Sequence, residues 1–190
     1  GAKLMGPYNA GNSIPGIDKG LRQGDVVKLG SAVEMEVIET PGHTPIHISM
    51  LGHGGESHLL CGDTIFNAGV GHCYSGDPNV LYATFRDKIA PMADNTRIYP
   101  GHDYIANNLN FTLDREPDNA DAKALLAEVE GQDPANALVT TLGQERKVNT
   151  FMRLDNPSVV AGVKAKFPEL PDTPSDEDVF LSLRKLRNDW

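Results

Sequence analysis

Three short apolar runs in this chain end in the same way, and that ending constrains the fold more than any other feature. Val37-Ile38-Glu39-Thr40-Pro41-Gly42-His43, Leu59-Leu60-Cys61-Gly62-Asp63 and Ile98-Tyr99-Pro100-Gly101-His102 each pass from strand-forming residues through glycine into a side chain that can bind metal. Open α/β sheets place their sites at strand ends, and a glycine beside a ligand lets backbone and ion approach closely. The pattern predicts that His43, Asp63 and His102 converge on one sheet edge. Imidazole with carboxylate suits zinc, iron or manganese, and the hard oxygens of Asp63 can bridge two ions. Taken singly, His43 and His102 read as turn histidines and Asp63 as a turn cap. Three occurrences of one pattern favour the metal reading.

The 190 residues suffice for one domain, or a domain with a small appendage. Hydrophobic residues make up 39% and charged residues 23%, the balance of a folded soluble chain. No apolar run approaches the roughly 18 residues of a membrane span. Lys and Arg number 17 against 26 Asp and Glu, and the net charge of −9 repels phosphate backbones and anionic lipid. Neither nucleic acid nor membrane is an expected partner. Cys61 and Cys73 are too few for a disulfide framework and fit a reducing compartment, while Gly1 to Gly20 lacks the basic and apolar regions of a signal peptide. The expected location is cytoplasmic.

Up to about Gly101 the grammar is that of strands: Val26 to Leu29, Val33 to Ile38, Ile46 to Leu51, Leu59 to Cys61 and Arg97 to Tyr99, with Gly52-His53-Gly54-Gly55 as a turn. One helix interrupts them, capped by Asp77 with Pro78 at its first position and lined by Val80, Leu81, Ala83, Thr84 and Ile89. Beyond Gly101 the pattern is helical. Tyr104 to Arg115 carries Leu109, Phe111 and Leu113, and Asn119 to Glu130 carries Ala122, Leu125, Leu126 and Val129. Thr141 with Gln144 forms a capping box, and Thr173-Pro174 opens a last helix to about Asn188 with a stripe of Val179, Phe180, Leu183 and Leu186. The organisation is therefore α/β, of α+β type, with residues 1–103 as one unit and 104–190 as a helical extension.

His47 lies four residues after His43, but Pro41, Gly42 and Pro45 exclude a helix there, so it reads as a supporting residue. His53 and His58 flank the glycine-rich turn and read as solvated, and Cys61 as a small buried hydrophobe. Arg184 and Arg187, three apart on one helix, can fork a carboxylate together or simply form a solvated basic helix end. Both readings stand. Tyr74 and Tyr104, by themselves, read as core tyrosines with satisfied hydroxyls.

Thr40-Pro41-Gly42-His43-Thr44, Gly62-Asp63-Thr64-Ile65-Phe66 and Gly101-His102-Asp103-Tyr104, followed by Asn107-Asn108-Leu109, Glu116-Pro117 and the closing stretch Phe180 to Trp190, resemble the glyoxalase II (hydroxyacylglutathione hydrolase) family of the metallo-β-lactamase superfamily. The resemblance runs over the whole chain and implies the C-terminal half of an αββα sandwich with a helical, glutathione-binding extension. It implies two divalent metal ions, zinc with iron or manganese as alternatives, ligated by His43 and His102 and bridged by Asp63. It further implies a glutathione thiolester substrate, a 2-hydroxyacyl glutathione, held by His72, Tyr74, Tyr104, Arg184 and Arg187. His72-Cys73 replaces the usual basic and aromatic pair of the family's glycine-rich loop, Val70 its usual Cys, and Ile46 its usual Gly. The superfamily's His-x-His-x-Asp-His run is absent from this sequence. The expectation is a fragment that alone binds metal weakly, hydrolyses poorly, and exposes an apolar sheet face to a missing N-terminal half or to itself. Two rivals remain: a persulfide dioxygenase using one Fe(II), and a non-catalytic glutathione-binding domain.

Overall fold

The structure, a computed structural model, describes residues 1–53 and 56–190; the turn expected at Gly54-Gly55 lies outside them. Its centre is a five-stranded sheet ordered β3-β4-β5-β6-β9, made of Val26–Leu29, Val33–Glu39, Ile48–Gly52, His58–Gly62 and Arg97–Pro100. β3 to β6 pair antiparallel in sequence order, whereas β6 and β9 run parallel. Two reversals separate β4 from β6, so β4, β6 and β9 all point the same way. Their C-terminal ends, with the three glycine-ended segments, therefore meet at one edge. The mixed α/β architecture is the one the sequence predicts.

Two strand pairs too short to show alternation escape the sequence reading. β1 (Met5–Pro7) pairs parallel with β2 (Lys19–Leu21), and β7 (Ile65–Phe66) pairs with β8 (Gly69–Val70). The first helix, α1 (Pro78–Thr84), starts as expected, with the Asp77 carboxylate accepting from Asn79 N–H and Pro78 at its head, and continues as a wider turn through Ile89. Its buried residues are Leu81, Tyr82 and Thr84, not Val80, which faces solvent. α2 (Ile105–Arg115), α3 (Ala120–Val129) and α4 (Leu142–Val148, with the Thr141–Gln144 capping box) fall where periodicity puts them. α5 (Pro157–Lys166) is an addition, capped by Asn156 before Pro157 in the same manner as Asp77-Pro78. The last helix, α6 (Asp176–Asn188), starts later than Pro174, because Ser175 and Asp178 exchange side-chain and backbone hydrogen bonds in a capping box of their own.

One hydrophobic core joins the two parts of the chain. Leu59, Cys61 and Ile98 of the sheet pack with Leu81, Phe85 and Ile89, and with Phe111, Leu142, Phe151, Val179, Phe180 and Leu183 from the helical region. Full burial of each large side chain contributes roughly 1.5–3 kcal/mol, so α6 is anchored in the shared core through Leu183 and through Phe180, which packs against Tyr82, Phe85 and Phe151. A smaller cluster holds α2 and α3 against Ala68 and Val148. On the opposite sheet face the register aligns Met50, Leu60 and Tyr99, and Leu60 is 42% exposed. No helix among the described residues is long and apolar enough to cross a membrane.

Beneath the β7–β8 turn lies a buried carboxylate with no ion-pair partner among the described residues. Glu145 on α4 accepts from Ala68 N–H at 2.8 Å, Asn149 Nδ2 at 2.9 Å and the Thr140 hydroxyl at 2.7 Å. Ala68 sits at φ 57°, a left-handed conformation unusual for a residue with a Cβ, and this bond helps hold it there. Burial raises the Glu145 carboxyl from 4.5 to about 7. Because the folded state binds this proton more tightly than the unfolded chain, the associated stability is complete below about pH 4.5 and is lost as pH rises to about 7. In urea unfolding, Glu145→Gln, which copies the protonated group, should remove a decline on the order of 3 kcal/mol over that interval and leave the acid-side stability unchanged.

Candidate metal and substrate site

Each predicted ligand is delivered by a turn that tolerates little substitution. The Pro41–His43 turn is clamped to α1: Asp77 N–H donates to the Gly42 carbonyl, and the Thr84 hydroxyl donates to the Pro41 carbonyl at 2.7 Å. Gly42 has φ 136°, and a Cβ there would overlap the Leu81 backbone. Gly62, at φ 50°, turns β6 toward Asp63, where a Cβ would lie 2.7 Å from His47 Nε2. A Cβ on Gly101 would lie 2.5 Å from Asp63 Oδ1. These close approaches are the physical reason glycine precedes each metal-competent residue.

The three side chains meet at one carboxylate oxygen. Asp63 Oδ2 is 3.3 Å from His43 Nε2 and 3.5 Å from His102 Nε2. His43 Nδ1 lies 2.5 Å from the His72 carbonyl, to which it can only donate, so the Nε2 of the neutral ring presents its lone pair to Asp63. Imidazole lone pair and carboxylate oxygen face each other, a donor set that a divalent cation between them would join; the residues fit such an ion. Among the described residues no group of three His, Cys, Asp or Glu side chains is placed to hold a metal ion as the side chains stand; His43 and His102 each approach Asp63 instead. His102 is exposed and stacks on Tyr104, with ring centroids 5.4 Å apart.

His47 is a support, as its sequence context implies. The Asp63 backbone N–H donates to its Nε2 at 3.2 Å, which places the ring proton on Nδ1, facing the hydroxyls of Thr40 at 2.9 Å and Thr64 at 3.0 Å. Burial, reinforced by nearby His43, lowers His47 to about 4, so it stays neutral and keeps accepting from Asp63. Thr40, Thr64 and Ser49, which completes the hydroxyl chain at 2.8 Å from Thr40, escape sequence reasoning. Only their position beside the glycine-ended turns marks them. Cys61 is buried, with its thiol donating to the Ile65 carbonyl, and burial pushes its pKa up. His58 is partly buried against the Tyr99 hydroxyl, 3.3 Å away, and is not the solvated side chain expected.

The other predicted residues form a rim. His72 and Tyr74 stack with ring centroids 3.5 Å apart, and Tyr74 is 86% exposed. Tyr104 is also exposed and meets Phe66 edge-on. The core-tyrosine alternative is thereby excluded for both. The two arginines differ. Arg187 donates to Asn108 Oδ1 at 3.2 Å, whereas Arg184 is 4% exposed and donates to the carbonyls of Val70 and Gly71 and to Asn188 Oδ1. The pair therefore does not present one free fork in this structure. Asn108, quoted above within Asn107-Asn108-Leu109 but given no role there, is buried, and its amide also donates to the Asn67 carbonyl at 2.9 Å.

Gly101→Ala should push the Asp63 carboxylate off the shared position. Calorimetric titration with zinc should show at least about a tenfold loss of affinity, the range expected when a ligand's support is disturbed, while the thermal midpoint moves by only a few degrees.

Comparison with known proteins agrees with this geometry. A family model described as hydroxyacylglutathione hydrolase C-terminus matches residues 103–190. The chain is 54% identical over 189 residues to a hydroxyacylglutathione hydrolase of Nitrosococcus oceani, covering 99% of this chain and 72% of the relative. It is 53% identical over 191 residues to that of a Polaromonas species, covering 100% and 73%. Among solved structures, ETHE1 from Myxococcus xanthus superposes with a TM-score of 0.59 at 24% identity, over 97% of this chain and 58% of that one. A metallo-β-lactamase from Staphylococcus aureus superposes with a TM-score of 0.54 at 18% identity, over 97% and 50%. At such identities the solved structures speak for the fold alone, that of the metallo-β-lactamases. With more than half its residues shared across nearly three quarters of the length of those relatives, the chain belongs to the hydroxyacylglutathione hydrolase family.

Proposed function

We propose that this chain serves the hydrolysis of a glutathione thiolester of the 2-hydroxyacyl class, giving glutathione and the free hydroxy acid, in a cytoplasmic setting that suits its two free cysteines. The observation that carries this reading is the meeting of His43, Asp63 and His102 at one carboxylate oxygen beside an aromatic and basic rim. The relatives named hydroxyacylglutathione hydrolase support the same substrate class.

In this reading His43, His102 and Asp63 would hold the metal ions, the two imidazoles as neutral nitrogen donors and Asp63 as the carboxylate common to both. When bound, the metal lowers the pKa of water toward about 7 and polarises the thiolester carbonyl; zinc is our assignment, with iron or manganese as alternatives. Two imidazoles and one carboxylate are fewer donors than two catalytic shells use, so occupancy and turnover in this chain alone are weak. His47 holds Asp63 in place without titrating near neutrality. The leaving group needs no dedicated acid, because a thiol of pKa about 8.5 departs readily as thiolate. His72, Tyr74 and Tyr104 offer ring faces and hydroxyls to the glutathione arm, and Arg187 at the end of α6 meets its carboxylates.

Thiol release from a 2-hydroxyacyl glutathione, followed with and without added zinc, tests the proposal. We expect weak zinc-stimulated release that falls at least about a hundredfold in Asp63→Asn, and a KM about tenfold higher with kcat nearly unchanged in Arg187→Met. Oxygen consumption with glutathione persulfide in place of thiol release would reassign the chain to a dioxygenase. Glutathione binding without metal uptake would make it a binding domain.

A further inference from the structure

We propose that Arg184 is a positioning residue for His43, acting through the backbone of the Val70–His72 loop; the proposal rests on the reading of His43 as a metal ligand. Arg184, at 4% exposure, is among the most buried charged side chains described. Nη1 donates to the Val70 carbonyl at 3.2 Å and to the Gly71 carbonyl at 3.1 Å. Nε and Nη2 both donate to Asn188 Oδ1, one turn further along α6, which fixes the plane of the guanidinium. The next carbonyl in the loop, that of His72, takes the proton of His43 Nδ1. Three consecutive carbonyls thus form a rail, fastened at one end to α6 and at the other to the imidazole.

The rail has little freedom to absorb movement. Gly71 N–H donates to the Thr64 carbonyl, and a Cβ on Gly71 would overlap the Asp63 carbonyl, so the loop lies directly on the turn that carries the bridging carboxylate. Val70 and Gly71 are buried, and removing Arg184 leaves their carbonyls without its donor. Both would turn toward other donors, carrying the His72 carbonyl away from His43 Nδ1. The ring would lose the bond that selects its tautomer and aims Nε2 at Asp63. Arg187 makes no bond to this loop among the described residues; its hydrogen bond goes to Asn108.

The test is imidazole nitrogen-15 NMR on the metal-free full chain at about pH 8.5, some 2 units above the ordinary imidazole pKa, read for which ring nitrogen carries the proton. Wild type should show His43 as a single Nδ1–H tautomer. Arg184→Met should convert it to a mixture and lower zinc affinity about tenfold, Arg184→Lys should recover part of both, and Arg187→Met should change neither. Asn188→Ala, at an exposed position, loosens the same guanidinium without emptying the core, and should shift the tautomer in the same direction. An unchanged His43 tautomer in Arg184→Met, or in Asn188→Ala if Arg184→Met does not fold, overturns the proposal. Loss of thiolester hydrolysis in wild type with the tautomer shift intact would instead fault the functional reading and leave this one standing.

Discussion

A carboxylate side chain must be held at the edge of a sheet where three strand ends meet, and much of the structure is arranged to satisfy that requirement. Asp63 leaves β6 through a glycine in a left-handed conformation, its backbone N–H is taken by His47, and one oxygen lies against Gly101 while the other faces two imidazoles. Its close backbone neighbours must be small, and the ring nitrogen that takes its N–H must keep a lone pair. That explains the glycines at 62, 71 and 101, and a histidine whose burial keeps it uncharged. The parallel β6–β9 pair has its share in this: reversing β9 would send His102 to the opposite edge.

The helical region supports the same point from behind. Its side chains share a core with the sheet, and its polar groups reach into the segment between β7 and the exposed Tyr74. Glu145, Asn149 and Asn108 fasten the Asn67–Gly69 turn, and Arg184 fastens the two residues that follow. A segment with few regular backbone bonds is thus held almost entirely by side chains from α2, α4 and α6. These buried polar bonds are ones whose loss is costly. Arg184 on α6 and His43 are consequently joined through one short loop.

Much of this was legible in the residues. The apolar runs, their glycine endings and the direction of reasoning from them placed His43, Asp63 and His102 at one edge, and capping grammar located α1 and α4. What escaped has physical causes. β7 and β8 are two residues each, too short for alternation to register, and Asn156-Pro157 opened α5 in a stretch whose apolar positions make only a weak stripe. Three apart on a helix did not mean side by side for Arg184 and Arg187, because burial turned one toward backbone carbonyls. The hydroxyl chain behind His47 depends on contacts seven and more residues apart, which no local pattern encodes.

The central proposal is that His43, Asp63 and His102 hold divalent metal, with Asp63 common to the sites of both histidines. Anomalous diffraction at the zinc edge from crystals of this chain grown with zinc addresses it directly. The account predicts a peak within bonding distance, about 2.0–2.2 Å, of His43 Nε2, an Asp63 carboxylate oxygen or His102 Nε2, in contact with at least two of them. Zinc bound elsewhere, at His53 or Cys73 for instance, with the three side chains bare, would contradict it.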